Sequence, residues 1–415
     1  MPTRRSFLLS SAAAPAAFAA VPADSPIARL KSRRAEARPI TVSERQSRFE
    51  KARRLMAQND VHAICVAGGT TLSYFTGFRW GNSERMFLMV IPARGEPFFI
   101  SPAFEEARAR EQILLSTGAK DPHVFTWQEN ESPYALTASA LKERGLLTGR
   151  IGMEENVPFV FADSLGKAIP AASVVSATPI TAGCRMIKSP AELALMRLAC
   201  SITLEAYEAS WKSVKEGMTE REFSRLIGSA YEALGFPGYA SVQVGEYSAL
   251  PHGSAQPQRI REGAIVMIDD GCEVEEYQSD ITRTFVLGKP SGKMKQVFDI
   301  VHRAQSAALA AARPGAPCQA VDAAARKVIT DAGYGPGYKY FTHRVGHGLG
   351  MDGHEWPYLV GGNTLPLAAN MTFSDEPGIY IHGEFGIRLE DDMHITENGA
   401  ELLTPQSPSL EHPFG

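Results

Sequence analysis

A chain of 415 residues, 44% hydrophobic and 21% charged, is long enough for two or three domains that bury their own cores without covalent staples. Its net charge of -4 and the lack of any long basic run exclude the Lys/Arg face that a nucleic-acid partner requires. The five cysteines (Cys65, Cys184, Cys200, Cys272, Cys318) are scattered and contain no CxxC pair, which argues against a disulfide framework or thiolate metal site and predicts buried free thiols.

In chain order, residues 1–23 come first. MPTRRSFLLSSAAAPAAFAA joins two arginines to a short apolar stretch and small residues, with AFA at 17–19 as a cleavage point, the pattern of an export signal. It is too short and alanine-rich for a stable membrane anchor. TRRSFLL resembles the twin-arginine class, which crosses the membrane already folded. A periplasmic or secreted protein is expected, with any metal loaded before export. Residues 24–42 are charged and weakly periodic and are read as a linker.

From 43 to 185, a helical stretch (SERQSRFEKARRLMAQ) and short β-rich runs (AICVAG, MFLMVIP, PFFIS) give α/β patterning without a concentration of catalytic residue types. This is expected to be a supporting domain. A second domain is predicted over 186–405, with 406–415 as a C-terminal tail. Its first long helix is announced by Ser189 as N-cap, Pro190 at the first helical position and Glu192 closing a capping box. Thr219 and Glu222 form a second box, on a helix that Gly235 ends.

The second domain reads as an internal repeat. Gly217 to Gly235 matches Gly315 to Gly333 in length, and each span is followed by a His-Gly pair, His252-Gly253 and His347-Gly348. GAIVMIDDG then aligns with NMTFSDEPG, setting Asp269 against Glu376, and YQSD falls near IRLE, setting Asp280 against Glu390. Strand alternation in VMIDDG predicts Asp269 and Gly271 on one face, with Gly271 leaving room beside an ion, and Asp270 on the other. Asp280 is expected on the paired strand.

Asp269, Asp280, His347, Glu376 and Glu390 form a hard, oxygen-rich set suited to divalent metal ions, with Mn²⁺ the first expectation and Co²⁺, Zn²⁺ or Fe²⁺ as alternatives. Four carboxylates bring about four negative charges, which two divalent ions neutralise and one does not. Taken singly, each has a local alternative: Asp280 as a turn cap, Glu376 as a solvated loop residue, Glu390 as part of a charged strand end.

HGSAQPQRIREGAIVMIDDG, YQSDITRTF, THRVGHGLGMDGHE, DEPGIY and GIRLED together resemble the signature of the pita-bread metallopeptidases, the group of aminopeptidase P, prolidase and methionine aminopeptidase. The resemblance covers about 186–405. The preceding domain is similar to the creatinase-type N-terminal domain of the proline-directed members. The resemblance implies an α/β N-terminal domain followed by an α+β pita-bread catalytic domain with pseudo-twofold symmetry. It further implies that Asp269 chelates one ion, that His347 and Glu376 bind the other, and that Asp280 and Glu390 bridge both. A hydroxide held between the ions would attack, and Glu376 would relay its proton.

His252 and His354 match family positions near the scissile carbonyl and leaving nitrogen, His343 a position lining the pocket for the residue after the cut, and Arg388 the site arginine. Tyr338, Tyr340 and Phe341 are candidate walls of a proline pocket. Tyr380 is read as packing. The implied substrate is a peptide or dipeptide with proline after the scissile bond, and the implied assembly a homodimer or higher homo-oligomer. Three alternatives remain: a creatinase-like metal-independent hydrolase, a metal-dependent lyase or amidohydrolase on a non-peptide substrate, and a non-catalytic binding module. Asp270 and Glu276 depart from the family pattern, either tuning the metal or decorating the surface.

Overall fold

The computed structural model describes residues 24–415. The expected signal peptide, residues 1–23, lies outside them. Among the described residues no helix is long and apolar enough to cross a membrane.

The segment expected as a linker is not one. It forms two 3-10 turns, Ile27–Arg29 and Arg34–Glu36, and buries Ile27 and Ile40. The Arg33 backbone amide donates to Leu234 O at 2.9 Å, and its guanidinium donates to Ser201 at 2.9 Å and Glu205 at 3.1 Å. Few apolar residues are present, but those few meet a core distant in sequence, a contact that local periodicity does not report.

Thr41 then caps α1 (Val42–Gln58), accepting from the Glu44 amide. The N-terminal domain is a six-stranded mixed sheet in the order β4-β3-β2-β1-β5-β6. Its strands are β1 (Ala63–Ala67), β2 (Leu88–Pro92), β3 (Phe98–Pro102), β4 (His123–Trp127), β5 (Gly149–Met153) and β6 (Ala172–Ser176). The fully buried run AICVA of β1 is what a central strand with both faces covered demands. Helices α2 (Thr70–Thr76), α3 (Glu106–Thr117), α4 (Pro133–Glu143), α5 (Phe159–Ala168) and α6 (Thr178–Arg185) accompany the sheet.

The C-terminal domain repeats one motif: two helices, then an antiparallel sheet. In the first half α7 (Pro190–Trp211) and α8 (Glu220–Leu234), both opened by full capping boxes, precede β7 (Ser241–Val244), β8 (Ile265–Asp269) and, beyond the small ribbon β9 (Glu273–Val274) and β10 (Tyr277–Gln278), β11 (Arg283–Val286). In the second, α9 (Gly292–Ala311) and α10 (Cys318–Asp331) precede β12 (Gly346–Gly348), β13 (Glu355–Leu359) and β14 (Thr372–Asp375). The ribbon β15 (Gly378–Ile381) and β16 (Phe385–Arg388) follows, then β17 (Asp391–Ile395) and β18 (Ala400–Leu402). The sheet orders β11-β8-β7 and β13-β12-β14-β17-β18 place β8 and β14 as corresponding inner strands.

This correspondence corrects one alignment. The counterpart of β12, which carries His347, is β7; His252 lies beyond β7 in a turn and does not pair with His347. The C-terminal tail is also packed: Leu410 is buried and its carbonyl accepts from the Val286 amide at 3.0 Å. All five cysteines are buried free thiols.

Candidate metal centre

Each half delivers one carboxylate from the end of its inner strand and another from just before the next strand. Asp269 ends β8 and Glu376 follows β14, while Asp280 precedes β11 and Glu390 immediately precedes β17. His347 joins them from β12. Asp280 is thus carried by irregular backbone rather than by the paired strand, because pairing with β8 begins only at Arg283, opposite Ile268. That irregular segment is fixed instead by a hydrogen bond from the Asp280 amide to Asp392 Oδ2 at 3.2 Å.

The five side chains converge. Ligand atoms of Asp269, Asp280 and Glu390 lie within 4.8 Å of one another, as do those of His347, Glu376 and Glu390, and those of Asp280, His347 and His354. Asp280, Glu390 and His347 each belong to two of these groups, and of the three only the two carboxylates also group with Asp269. His347 Nε2 is 3.3 Å from Glu376 Oε1 and 3.6 Å from Asp280 Oδ2. His354, although exposed, stacks on the His347 ring with centroids 3.7 Å apart.

The only guanidinium paired with the cluster among the described residues is that of Arg388, bonded to Asp269 and 3.8 Å from Glu390. It leaves most of the negative charge uncompensated. Burial, with the neighbouring carboxylates, pushes Asp280 and Glu390 well above the usual carboxylate range. Burial raises Glu376 to about 8. Asp269 alone is held low, the Arg388 charge and the Thr282 hydroxyl outweighing its burial. Burial also holds His343 and His347 down to about 3, and lowers His354, so the imidazoles are neutral.

The Thr282 hydroxyl sharpens the point. It lies 2.6 Å from Asp269 Oδ1 and 2.6 Å from Glu390 Oε2, yet carries one proton and can donate to only one of them. A buried set of oxygens this close is electrostatically incomplete, and divalent cations complete it. The residues therefore fit the metal that their chemistry implies.

Several positioning groups were not legible in the motifs. Tyr380, expected to be packing, places its hydroxyl 2.7 Å from His343 Nε2 and 3.0 Å from Arg388. Thr282 accepts from Arg388 Nε at 2.9 Å, and Ser374 bonds both the His347 amide, at 3.1 Å, and Glu376, at 3.2 Å. Their only sequence signal is a spacing of two from a ligand candidate: Thr282 from Asp280 and Ser374 from Glu376.

Three expectations about VMIDDG and its neighbours change. Asp270 does not continue the strand: its φ of 99° ends the alternation, and its carboxylate turns back to accept the Ser241 amide at 3.1 Å. Gly271 is needed for backbone contact, since a Cβ there would sit 2.0 Å from Ser279 O. Glu276 is neither metal-tuning nor decoration; it accepts from Ser73 and Arg79 of the N-terminal domain. His252, exposed, follows Pro251, whose carbonyl accepts from Arg388 at 3.2 Å.

A carboxylate and imidazole cluster at the heart of a duplicated α+β domain defines the class: the site of a metal-dependent enzyme. The comparisons with known proteins are specific. Residues 194–397 match the model of metallopeptidase family M24, and residues 48–187 that of the creatinase/prolidase N-terminal domain. The chain belongs to metallopeptidase family M24. It is 32% identical to a Xaa-Pro dipeptidase of Lactobacillus delbrueckii over 88% of this chain and 98% of that one. A Xaa-Pro dipeptidase of Pyrococcus horikoshii is 37% identical over 63% of this chain and 74% of its own. Among solved structures, dipeptidase PepE from Mycobacterium ulcerans superposes with a TM-score of 0.83 at 33% identity, covering 90% of this chain and 99% of that one.

Proposed function

We propose that this chain is a Xaa-Pro peptidase that binds two divalent ions, Mn²⁺ foremost, through Asp269, Asp280, His347, Glu376 and Glu390. The observation that carries the reading is the sharing of Asp280 and Glu390 between groups: each reaches the Asp269 side and the His347 side of one cluster. Relatives named Xaa-Pro dipeptidase, aligned over most of the chain, support the substrate class.

When bound, the ions lower the pKa of water and polarise the scissile carbonyl. The chain supplies the rest. Glu376 would have to lose the proton that burial favours, as a bound cation makes it do, and as a carboxylate it is the group that would accept a proton and pass it toward the prolyl nitrogen. His354 and His252 are catalytic groups beside the scissile carbonyl and leaving nitrogen, each offering a ring N–H to developing charge. His343 and Arg388 bind substrate, oriented through the Tyr380 hydroxyl they share. A Xaa-Pro bond has no N–H and carries a ring, so it needs a dedicated wall; His343 and Tyr340 are the candidates, with the buried Phe341 behind them, whereas Tyr338 is exposed and covers the Arg326 guanidinium instead. Phe341 and His343 meet edge to face at 5.1 Å.

We further propose export through the twin-arginine route to the periplasm or beyond, and assembly as a homo-oligomer. The test of the main reading is reconstitution with Mn²⁺ or Co²⁺, metal counting, and assay on Ala-Pro and Ala-Pro-Ala. Two equivalents of metal with cleavage at proline are expected. A protein that takes up no metal, or that takes it up and cleaves neither peptide, would refute it.

A further inference from the structure

Arg344 carries a charge that the chain itself does not neutralise. Its neighbours are paired: Arg326 with Asp322 and Arg388 with Asp269. Among the described residues Arg344 has no carboxylate within ion-pair distance and no side-chain hydrogen bond; only its carbonyl is engaged, 2.8 Å from His343 Nδ1. Its guanidinium instead lies over the Tyr358 ring, 4.1 Å from the centroid. It is half-buried.

The place is specific. Tyr358 on β13 stands opposite His347 in the antiparallel pair with β12, and opposed residues project from the same sheet face. The tyrosine ring therefore holds the guanidinium on the flank of a metal-ligand candidate. Electrostatics agree with the geometry, since the Arg344 charge is felt at His347, His354 and Glu376.

A planar cation fixed beside a hydrolytic centre calls for an anion, and a carboxylate matches the guanidinium fork with two parallel hydrogen bonds. In a Xaa-Pro dipeptide the free carboxylate lies within one residue of the scissile nitrogen, roughly 3.5 Å of chain. In a longer peptide the same position holds a neutral amide, which leaves the arginine unpaired and partly desolvated.

We propose that Arg344, braced by Tyr358, takes the C-terminal carboxylate of the substrate and makes this chain a dipeptidase rather than an aminopeptidase on longer peptides. This rests on the Xaa-Pro peptidase reading. The test compares kcat/KM of the Mn²⁺-loaded enzyme on Ala-Pro, Ala-Pro amide and Ala-Pro-Ala, for the natural protein and for Arg344→Met and Arg344→Lys. The natural protein is expected to prefer Ala-Pro over its amide by at least about tenfold, the energy scale of one charge-assisted pair. Arg344→Met should lose at least about tenfold of that ratio, with the loss in KM more than in kcat, and Arg344→Lys should recover part of it. Equal cleavage of Ala-Pro and its amide by the natural protein overturns the inference while leaving the peptidase reading intact. So does an unchanged ratio in Arg344→Met, and should that variant fail to fold, an unchanged ratio in Arg344→Gln has the same effect, because a glutamine carries no charge to tell a carboxylate from an amide. Cleavage of none of the three peptides overturns the peptidase reading and this inference with it.

Discussion

Asp269 and Asp270 are neighbours with opposite surroundings, and their substitution separates ligand from bystander. Asp269 faces Asp280 and Glu390 and is bonded by Arg388 and Thr282. Asp270 points back at the Ser241 amide, a bond that an asparagine carbonyl oxygen can keep. Asp269→Asn is expected to lose bound metal and at least about 100-fold in activity. Asp270→Asn is expected to keep its metal and to change stability by less than about 1 kcal/mol. Metal analysis and chemical denaturation of the two proteins check this; equal metal loss in both would mean that the cluster is wrongly assigned. The ligand candidates were legible because acids cannot end apolar runs cheaply, so their position alone raises the question of a cation. Thr282, Ser374 and Tyr380 were not, because a hydroxyl beside a site looks in sequence like any strand or turn hydroxyl. A second residue-scale effect lies far from the centre. Glu154, buried in the N-terminal domain, is raised by burial from 4.5 to about 7, although the Ala67 amide donates to it at 3.2 Å. The sign follows from the direction. The folded state holds this proton more tightly, so the associated stability is fully present below about pH 4.5 and is lost as pH rises through about 7. Glu154→Gln should therefore match the natural protein near pH 4.5 and exceed it at pH 8 by up to about 3 kcal/mol, as read from urea midpoints. No change in that difference with pH would show the carboxyl to be ionised throughout.

At the scale of elements, the loop between β12 and β13 ties the domains to the site. Arg185, at the end of α6, is bonded to Glu355 and lies 2.5 Å from Asp352; Lys188 is 3.2 Å from Glu355, and Thr70 of α2 donates to Asp352 at 2.6 Å. Arg185, Lys188 and Glu355 are all buried, and Glu355 is adjacent to His354. Replacing Glu355 by Gln leaves two buried cations short of a counter-charge, and a loss of about 3 kcal/mol is expected, with lower kcat and unchanged metal content. Unchanged stability would show that solvent already reaches the pair. The ribbon after β8 is constrained by backbone instead. Gly271→Ala forces a Cβ against Ser279 O, one residue before Asp280, so weaker metal binding is expected from a change that touches no ligand. Full metal affinity in that variant would mean that the ribbon shifts freely. Capping boxes, helix ends and the matched glycines at 235 and 333 were readable, since they are local devices. The packed strap over 24–41 and the packed tail were not: Ile27, Ile40 and Leu410 each find their partners far along the chain.

At the scale of the whole molecule, the fold brings two halves together around charges that neither half could hold alone. Helical hairpins and inner strands form two cores from local patterning, and the carboxylates are left where the sheets meet. Without cations, burial makes Asp280 and Glu390 retain protons, and stability falls as rising pH removes them. Metal binding relieves that repulsion and acts only on the folded state, so it contributes RT ln(1 + [M]/Kd), about 2.7 kcal/mol per site at 100 Kd. The gain must grow with pH, because at lower pH each ion competes with protons for the same oxygens. Thermal unfolding with Mn²⁺ or with chelator, at pH 6 and pH 8, is expected to show a metal-dependent rise in Tm that is larger at pH 8. Asp269→Asn should abolish most of it, while Asp270→Asn keeps it. A chelator that leaves Tm unchanged at pH 8 would show that the carboxylates tolerate one another without a cation, and that packing and the direct ion pairs and hydrogen bonds between the halves, such as Arg283 with Asp391, suffice to join them.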